Sequence, residues 1–204
     1  MAFETYGLLK STESLPNDEF SITSASSELG SKKTAEKFFE GLKQRIRDLN
    51  EWNRRSSLSA YEAFDEDGKA AGQQVIEEGK FIRITITGTG KSDWVSVERI
   101  YEAPDELIIT VKPSFDPTES PQKKGEISHF FGAAARNNFC VVREDKTVGV
   151  YVIGVNEKLN TDRTSGVIES ARNTAVANLG YYLGIQKAIW KNFCESFLKE
   201  ESDG

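Results

Sequence analysis

The stretch TITGTGKSDWV, Thr85 to Val95, sets how the rest of this chain is read. Its Gly90-Lys91-Ser92 is the ending of a nucleotide-binding P-loop. Such a loop needs a glycine five places before Gly90 to start the turn whose amides cradle phosphate. Thr85 stands there instead, inside a run that alternates with period two, Ile82, Ile84 and Ile86 on one face. A P-loop also opens a helix at its lysine, whose amino end supplies the dipole. Here Asp93 to Tyr101 alternates again, with Val95, Val97, Arg99 and Tyr101 on one side and Trp94 and Ile100 on the other. Both requirements fail. Gly88 to Asp93 is read as the loop of a β-hairpin, and nucleotide binding is not expected.

The strand pattern extends in both directions from that hairpin. SSLSAYEAF precedes it and ends at the turn Asp65-Glu66-Asp67-Gly68; WVSVERIY, LIITVKP, EISHFF, FCVVRE and TVGVYVIGV follow. Tight connections at Ala103-Pro104-Asp105-Glu106 and Glu144-Asp145-Lys146 imply antiparallel neighbours. One longer loop, Ser114 to Gly125, holds Pro117, Pro121 and two adjacent lysines and is expected to be a mobile flap.

Helices bracket the strands. Asp18 to Thr23 alternates as a short strand. After it Ala35, Phe38, Phe39, Leu42, Ile46 and Leu49 recur at steps of three and four, behind Ser31 as N-cap. This predicts one rather long amphipathic helix ending at Asn50 to Arg55, with Trp52 packed beneath it. Thr164 to Lys199 reads as a second, C-terminal helix, its stripe formed by Val176, Leu183, Trp190 and Phe197. Gly180 and Gly184 interrupt it, each costing roughly 1 kcal/mol against alanine, and mark a kink or a close approach. Residues 1–18 are polar and turn-rich and are expected to be loosely held; residues 19–200 are expected to form a single α+β domain.

The composition narrows the functions open to such a chain. Its 204 residues carry 38% apolar and 28% charged residues, the balance of an ordinary globular protein. A net charge of -6, from 26 basic and 32 acidic residues, argues against nucleic acid as a partner. No signal peptide and no membrane span is legible, so a cytoplasmic location is expected. Cys140 and Cys194 read as buried, reduced thiols. With one histidine and no HxxxH, CxxC or EF-hand spacing, neither a metal nor a cofactor is expected.

Candidate site residues remain. His129, among aromatics, is either a general base near its neutral pKa or a packed strand histidine with a hydrogen-bonded ring. Arg99 shares a strand face with Val95, Val97 and Tyr101. Turned inward, its guanidinium would need a carboxylate from the protein or a ligand; turned outward, it would pair with Glu102 or Glu106. Asn156-Glu157, just after a strand, could point into the mouth of a cleft.

The order of elements, a short strand, a helix, six or seven antiparallel strands and a long last helix, resembles the helix-grip arrangement of the START and Bet v 1-like superfamily. The resemblance spans Asp18 to Lys199 and implies a curved antiparallel sheet wrapped around the C-terminal helix over an apolar cavity. It carries no functional residues across. Proteins of that superfamily often have two short helices after the first strand, where this chain is read with one. The blocks GKFIRI, DWV and HFF, at Gly79–Ile84, Asp93–Val95 and His129–Phe131, are also similar to those of uncharacterised bacterial proteins.

Such a cavity favours an apolar or amphipathic small molecule. Its expected lining is Val95, Val97, Tyr101, His129 and Tyr151, with Arg99 as polar anchor and Tyr182 in the lid. Two alternatives stand beside this reading: an enzyme using His129, and an interaction module that self-associates as a homodimer through Ala177, Gly180, Gly184 and Ala188 of the last helix.

Overall fold

The computed structural model describes residues 3–16, 19–87, 92–119, 127, 129, 131–158, 184 and 186–199. Seven strands form one unclosed antiparallel sheet: β1 (Phe20–Glu28), β2 (Ser59–Phe64), β3 (Phe81–Ile86), β4 (Ser92–Ala103), β5 (Glu106–Pro113), β6 (Arg136–Glu144) and β7 (Thr147–Val155). The spatial order is β1-β7-β6-β5-β4-β3-β2, so strands β2 to β7 are a meander and β1 joins its far edge. The chain therefore crosses the whole sheet between β1 and β2. It does so as α2 (Lys32–Ile46) and α3 (Leu49–Arg55).

The hairpin read from Thr85 to Val95 is present: β3 and β4 pair antiparallel, with Thr85 opposite Ser92 and Ile84 opposite Asp93. Residues 88–91 lie outside the described set. The two tight turns close as expected, Ala103 opposite Glu106 and Glu144 opposite Thr147. Asp145 takes a φ of 54°, a left-handed conformation that aspartate tolerates in such loops.

Four places differ from the sequence reading. The predicted single helix is two. Asp48 leaves the helical conformation, pairs with Val75 and caps α3 by accepting the Asn50 N–H at 2.9 Å. Residues 74–76 wedge into this joint, Leu49 N–H donating to Gln74 O at 2.7 Å and Ile76 N–H to Arg47 O at 2.8 Å. The second difference is EISHFF: at the described positions 127, 129 and 131 it is no ladder strand.

Thirdly, the polar N-terminus contains α1 (Glu4–Thr12), lying on the outer face of the sheet. Lastly, β4 carries a bulge. Val97 opposes Val111 but Arg99 opposes Thr110, so Glu98 is an extra residue and the face pattern inverts beyond it.

The main core lies on the inner face. Phe39, Leu42 and Ile46 of α2 meet Leu107, Ile109, Val141, Val148, Val150 and Val152 there. Ser31 caps α2, its hydroxyl accepting Thr34 N–H at 3.1 Å. A fourth helix, α4 (residues 186–197), buries Ile189, Trp190, Phe193, Cys194 and Phe197, the three-and-four spacing expected of an inward stripe. The remainder of the predicted C-terminal helix, with Val176 and Gly180, lies outside the described residues. Aromatic rings lock α3 and α4 onto the sheet: Trp52 stands 4.7 Å from Phe139 and 4.8 Å from Phe193, and Phe139 stands 5.2 Å from Trp190. Among the described residues no helix is long and apolar enough to cross a membrane.

Candidate functional site

Between the sheet, α3 and α4 lies a cavity of about 70 Å³. Its apolar wall comes from alternate residues of neighbouring strands, which a pleated sheet turns to one face: Ile82, Ile84 and Ile86 of β3, Val95 of β4, Val111 of β5 and Phe139 of β6. Trp52 of α3 and Ile189 and Trp190 of α4 close it from the helix side, and His129 and Phe131 contribute from the segment before β6.

Among the described residues the polar lining is Asp93, His129, Asn137 and Gln186. In an antiparallel meander the starts of β4 and β6 and the end of β7 fall at one end of the sheet. Asp93 and Asn137 belong to the first two of these, and Glu157 follows the third. His129 is 7% exposed, and its Nδ1 accepts the Phe131 N–H at 2.9 Å. The neutral ring therefore carries its proton on Nε2. The ring sits 5.8 Å from that of Phe131.

Glu157 organises this end from just behind the wall. It is 5% exposed, and its Oε1 accepts Asn137 Nδ2 at 3.0 Å and Gln186 Nε2 at 3.2 Å. Two local features seat it. Asn156 adopts φ 54°, which turns the chain back at the end of β7 and suits asparagine. Gly154 leaves room beside it: a Cβ there would overlap the Glu157 carboxylate and come within 2.6 Å of Ser21 Oγ. Burial pushes the Glu157 carboxyl above its usual range, against the opposing effect of the nearby Ser21 hydroxyl and of Asn137 and Gln186 as hydrogen-bond donors. No cation pairs with it among the described residues.

The expected site residues divide between the two faces. Val95 and His129 line the cavity. Val97 is buried in the same core, beyond the cavity wall. Arg99 and Tyr101 are on the outer face because of the bulge at Glu98. Arg99 meets Glu4 of α1 at 3.4 Å and lies 5.1 Å over the Tyr101 ring, not against Glu102 or Glu106. Tyr151 is also outward, packed with Tyr101, Leu8 and Leu9 beneath α1. Glu102 instead faces the helices, taking Lys43 at 2.8 Å and Arg47 at 2.6 Å. Tyr182 lies outside the described residues, as do Ala177 and Gly180, while Gly184 and Ala188 are exposed.

Sequence reading missed Asn137, Gln186, Trp52 and Phe131 as lining residues. The one legible signal was Asn156-Glu157 at a strand end. Cys140 and Cys194 are free and buried. Among the described residues no three His, Cys, Asp or Glu side chains gather as metal ligands.

No family model and no curated protein matches the chain. Solved structures resemble it at low identity. It is similar to a hypothetical protein from Helicobacter pylori, 12% identical with a TM-score of 0.49, over 86% of this chain and 91% of that one. It is similar to major latex-like protein 151 of Panax ginseng, 13% identical with a TM-score of 0.43, over 88% and 99% of the two chains. It is also similar to the di-domain ARO/CYC protein BexL of the BE-7585A biosynthetic pathway, 11% identical with a TM-score of 0.39, over 92% and 53%.

Proposed function

We propose that this protein binds a small hydrophobic or amphipathic molecule between the sheet and α4, without transforming it. The observation that supports this above all is the cavity itself: an apolar wall of strand residues and aromatic rings, with its polar groups at one end of the sheet. A site of that composition gains affinity by removing apolar surface from water and orients its occupant through a few hydrogen bonds.

The test is native mass spectrometry of the full chain purified from its own host, followed by denaturation and identification of what is released. A stoichiometric apolar passenger is the expected result. A chain that is empty, and that takes up no apolar probe in a Trp52 and Trp190 fluorescence titration, overturns the reading. Val111→Phe, which places a larger ring in the space, is expected to abolish uptake at a cost of about 1–3 kcal/mol in stability.

A further inference from the structure

The next inference rests on that cavity reading and concerns the polar end of the occupant. Asn137 of β6 and Gln186 at the start of α4 meet at one carboxyl oxygen. Asn137 Nδ2 stands 3.0 Å and Gln186 Nε2 3.2 Å from Glu157 Oε1. Both amides line the cavity, and Glu157 holds them by their nitrogen ends from behind. Each of these bonds uses one N–H of an NH2 group, so each nitrogen keeps a second N–H and each amide keeps its carbonyl oxygen. Neither side-chain amide makes a further hydrogen bond among the described residues. Between them the two lining residues keep two donors and two acceptors, and no charge.

The titratable lining residues are committed elsewhere. Asp93 and His129 each hold an interaction of their own, and His129 Nδ1 also accepts the Phe131 N–H. No lysine or arginine is among the described lining residues. An anionic head group brings acceptors only. It would find no described cation in the lining, and it would set its charge towards the Glu157 carboxyl behind the amides. A cationic head group brings donors only and leaves the spare N–H of each amide without an acceptor. Burying an unpaired charge or an unpaired N–H costs more than a neutral hydrogen bond contributes.

We propose that the occupant's head group is uncharged and carries a donor and an acceptor together, as a carboxamide or a hydroxyl does. It is seated on the Asn137–Gln186 pair, with its hydrocarbon against the isoleucine and aromatic wall. Glu157 is the positioning residue of this pair: it turns both amides without touching the occupant.

The test titrates the full chain at neutral pH with four molecules of one shape: 3-methylbutanamide, 4-methylpentan-2-one, 3-methylbutanoate and 3-methylbutanamidine. Each sets a planar head on the same isobutyl group. The heads are, in that order, donor and acceptor, acceptor only, anion and cation. Quenching of Trp52 and Trp190 is read directly and calorimetry is run alongside. The amide is expected to bind about tenfold more tightly than the ketone and than either ion, because a site built to hydrogen-bond a group rejects the analogue that lacks it. Asn137→Leu and Gln186→Met, each first shown to melt cooperatively, are expected to erase most of the gap between amide and ketone. Should Asn137→Leu fail to fold, Gln186→Met, at a half-buried position, carries this arm alone. A ketone or an ion that binds as well as the amide overturns this inference and leaves the apolar cavity standing. A gap that survives the folded variants overturns the assignment to the amide pair. Failure of all four to bind, with Val111→Phe giving the same flat titration, overturns the cavity reading together with this one.

Discussion

Glu106 of β5 accepts the backbone N–H of Thr5, 101 residues earlier in the chain, at 2.7 Å. The same carboxylate takes the Thr5 hydroxyl at 2.5 Å and the Glu4 N–H at 3.0 Å. It is the cap of α1, whose own N-cap residue, Phe3, has no side chain able to accept. A carboxylate at a helix amino end also opposes the positive end of the helix dipole. A glutamate 1% exposed is thus satisfied by a helix, and the helix is held to the sheet by the glutamate.

Replacing that cap should loosen α1 as a unit. Glu106→Gln is expected to cost roughly 2 kcal/mol in urea unfolding, the scale of hydrogen bonds to a charged group. Amide exchange should accelerate across Glu4–Thr12 and leave α2 unaffected. Cys140, in the apolar cluster under α1, has its thiol pushed up by burial to about 12. A thiol reagent at pH 8 should therefore spare it in the parent and reach it before Cys194 in the variant. Equal labelling of the two thiols would count against this role for Glu106.

Glu157 makes stability depend on pH in a stated direction. Burial raises its pKa in the folded chain, so the folded state holds this proton more tightly than the unfolded one, and ionisation penalises the fold. Well below the ordinary glutamate pKa of about 4.3 both states are protonated and the penalty is absent. It sets in as the pH climbs from the unfolded value through the raised folded one. Glu157→Gln should accordingly match the parent's Tm at low pH, gain a widening margin as the pH climbs through the raised folded pKa, and hold that margin above it. A margin that is flat across this range would show that the carboxyl is not ionising at a cost.

Gly154 and Glu157 should be energetically coupled. A Cβ at Gly154 overlaps the Glu157 carboxylate, so Gly154→Ala must displace the group that holds Asn137 and Gln186. A double-mutant cycle with Glu157→Ala is expected to give a coupling energy of about 0.5–3 kcal/mol. Additive costs would mean that the strain falls on the backbone or Ser21 instead.

Arg99 provides the negative control for the site. Its side chain is 55% exposed and meets Glu4 on the far face of the sheet from the cavity. Arg99→Ala should change stability by less than about 1 kcal/mol, as exposed ion pairs do, and leave the occupant's dissociation constant as in the parent. A loss of binding would place the site on the outer face.

The fold was largely legible because its signals are local. A missing glycine at Thr85 and two runs of period-two alternation sufficed to read a hairpin between β3 and β4. Short turns at 103–106 and 144–147 made their neighbours antiparallel. Periodicity likewise marked the buried stripes of α2 and α4. The break at Asp48 was not legible, because it depends on residues 74–76 arriving from another part of the chain to take its backbone groups.

The site was less legible for a related reason. By itself the sequence determined which residues alternate, where turns fall and which helix faces are apolar, since each depends on neighbours within a few positions. Only the tertiary structure decided which side of β4 the later residues occupy. One extra residue at Glu98, created by its pairing with β5, sends Arg99 and Tyr101 outward while Val95 stays in. It also decided that Glu157 meets Asn137, 20 residues back, and Gln186, 29 residues ahead. Those contacts come from strands and helices converging at one end of a sheet, and no spacing along the chain encodes that convergence.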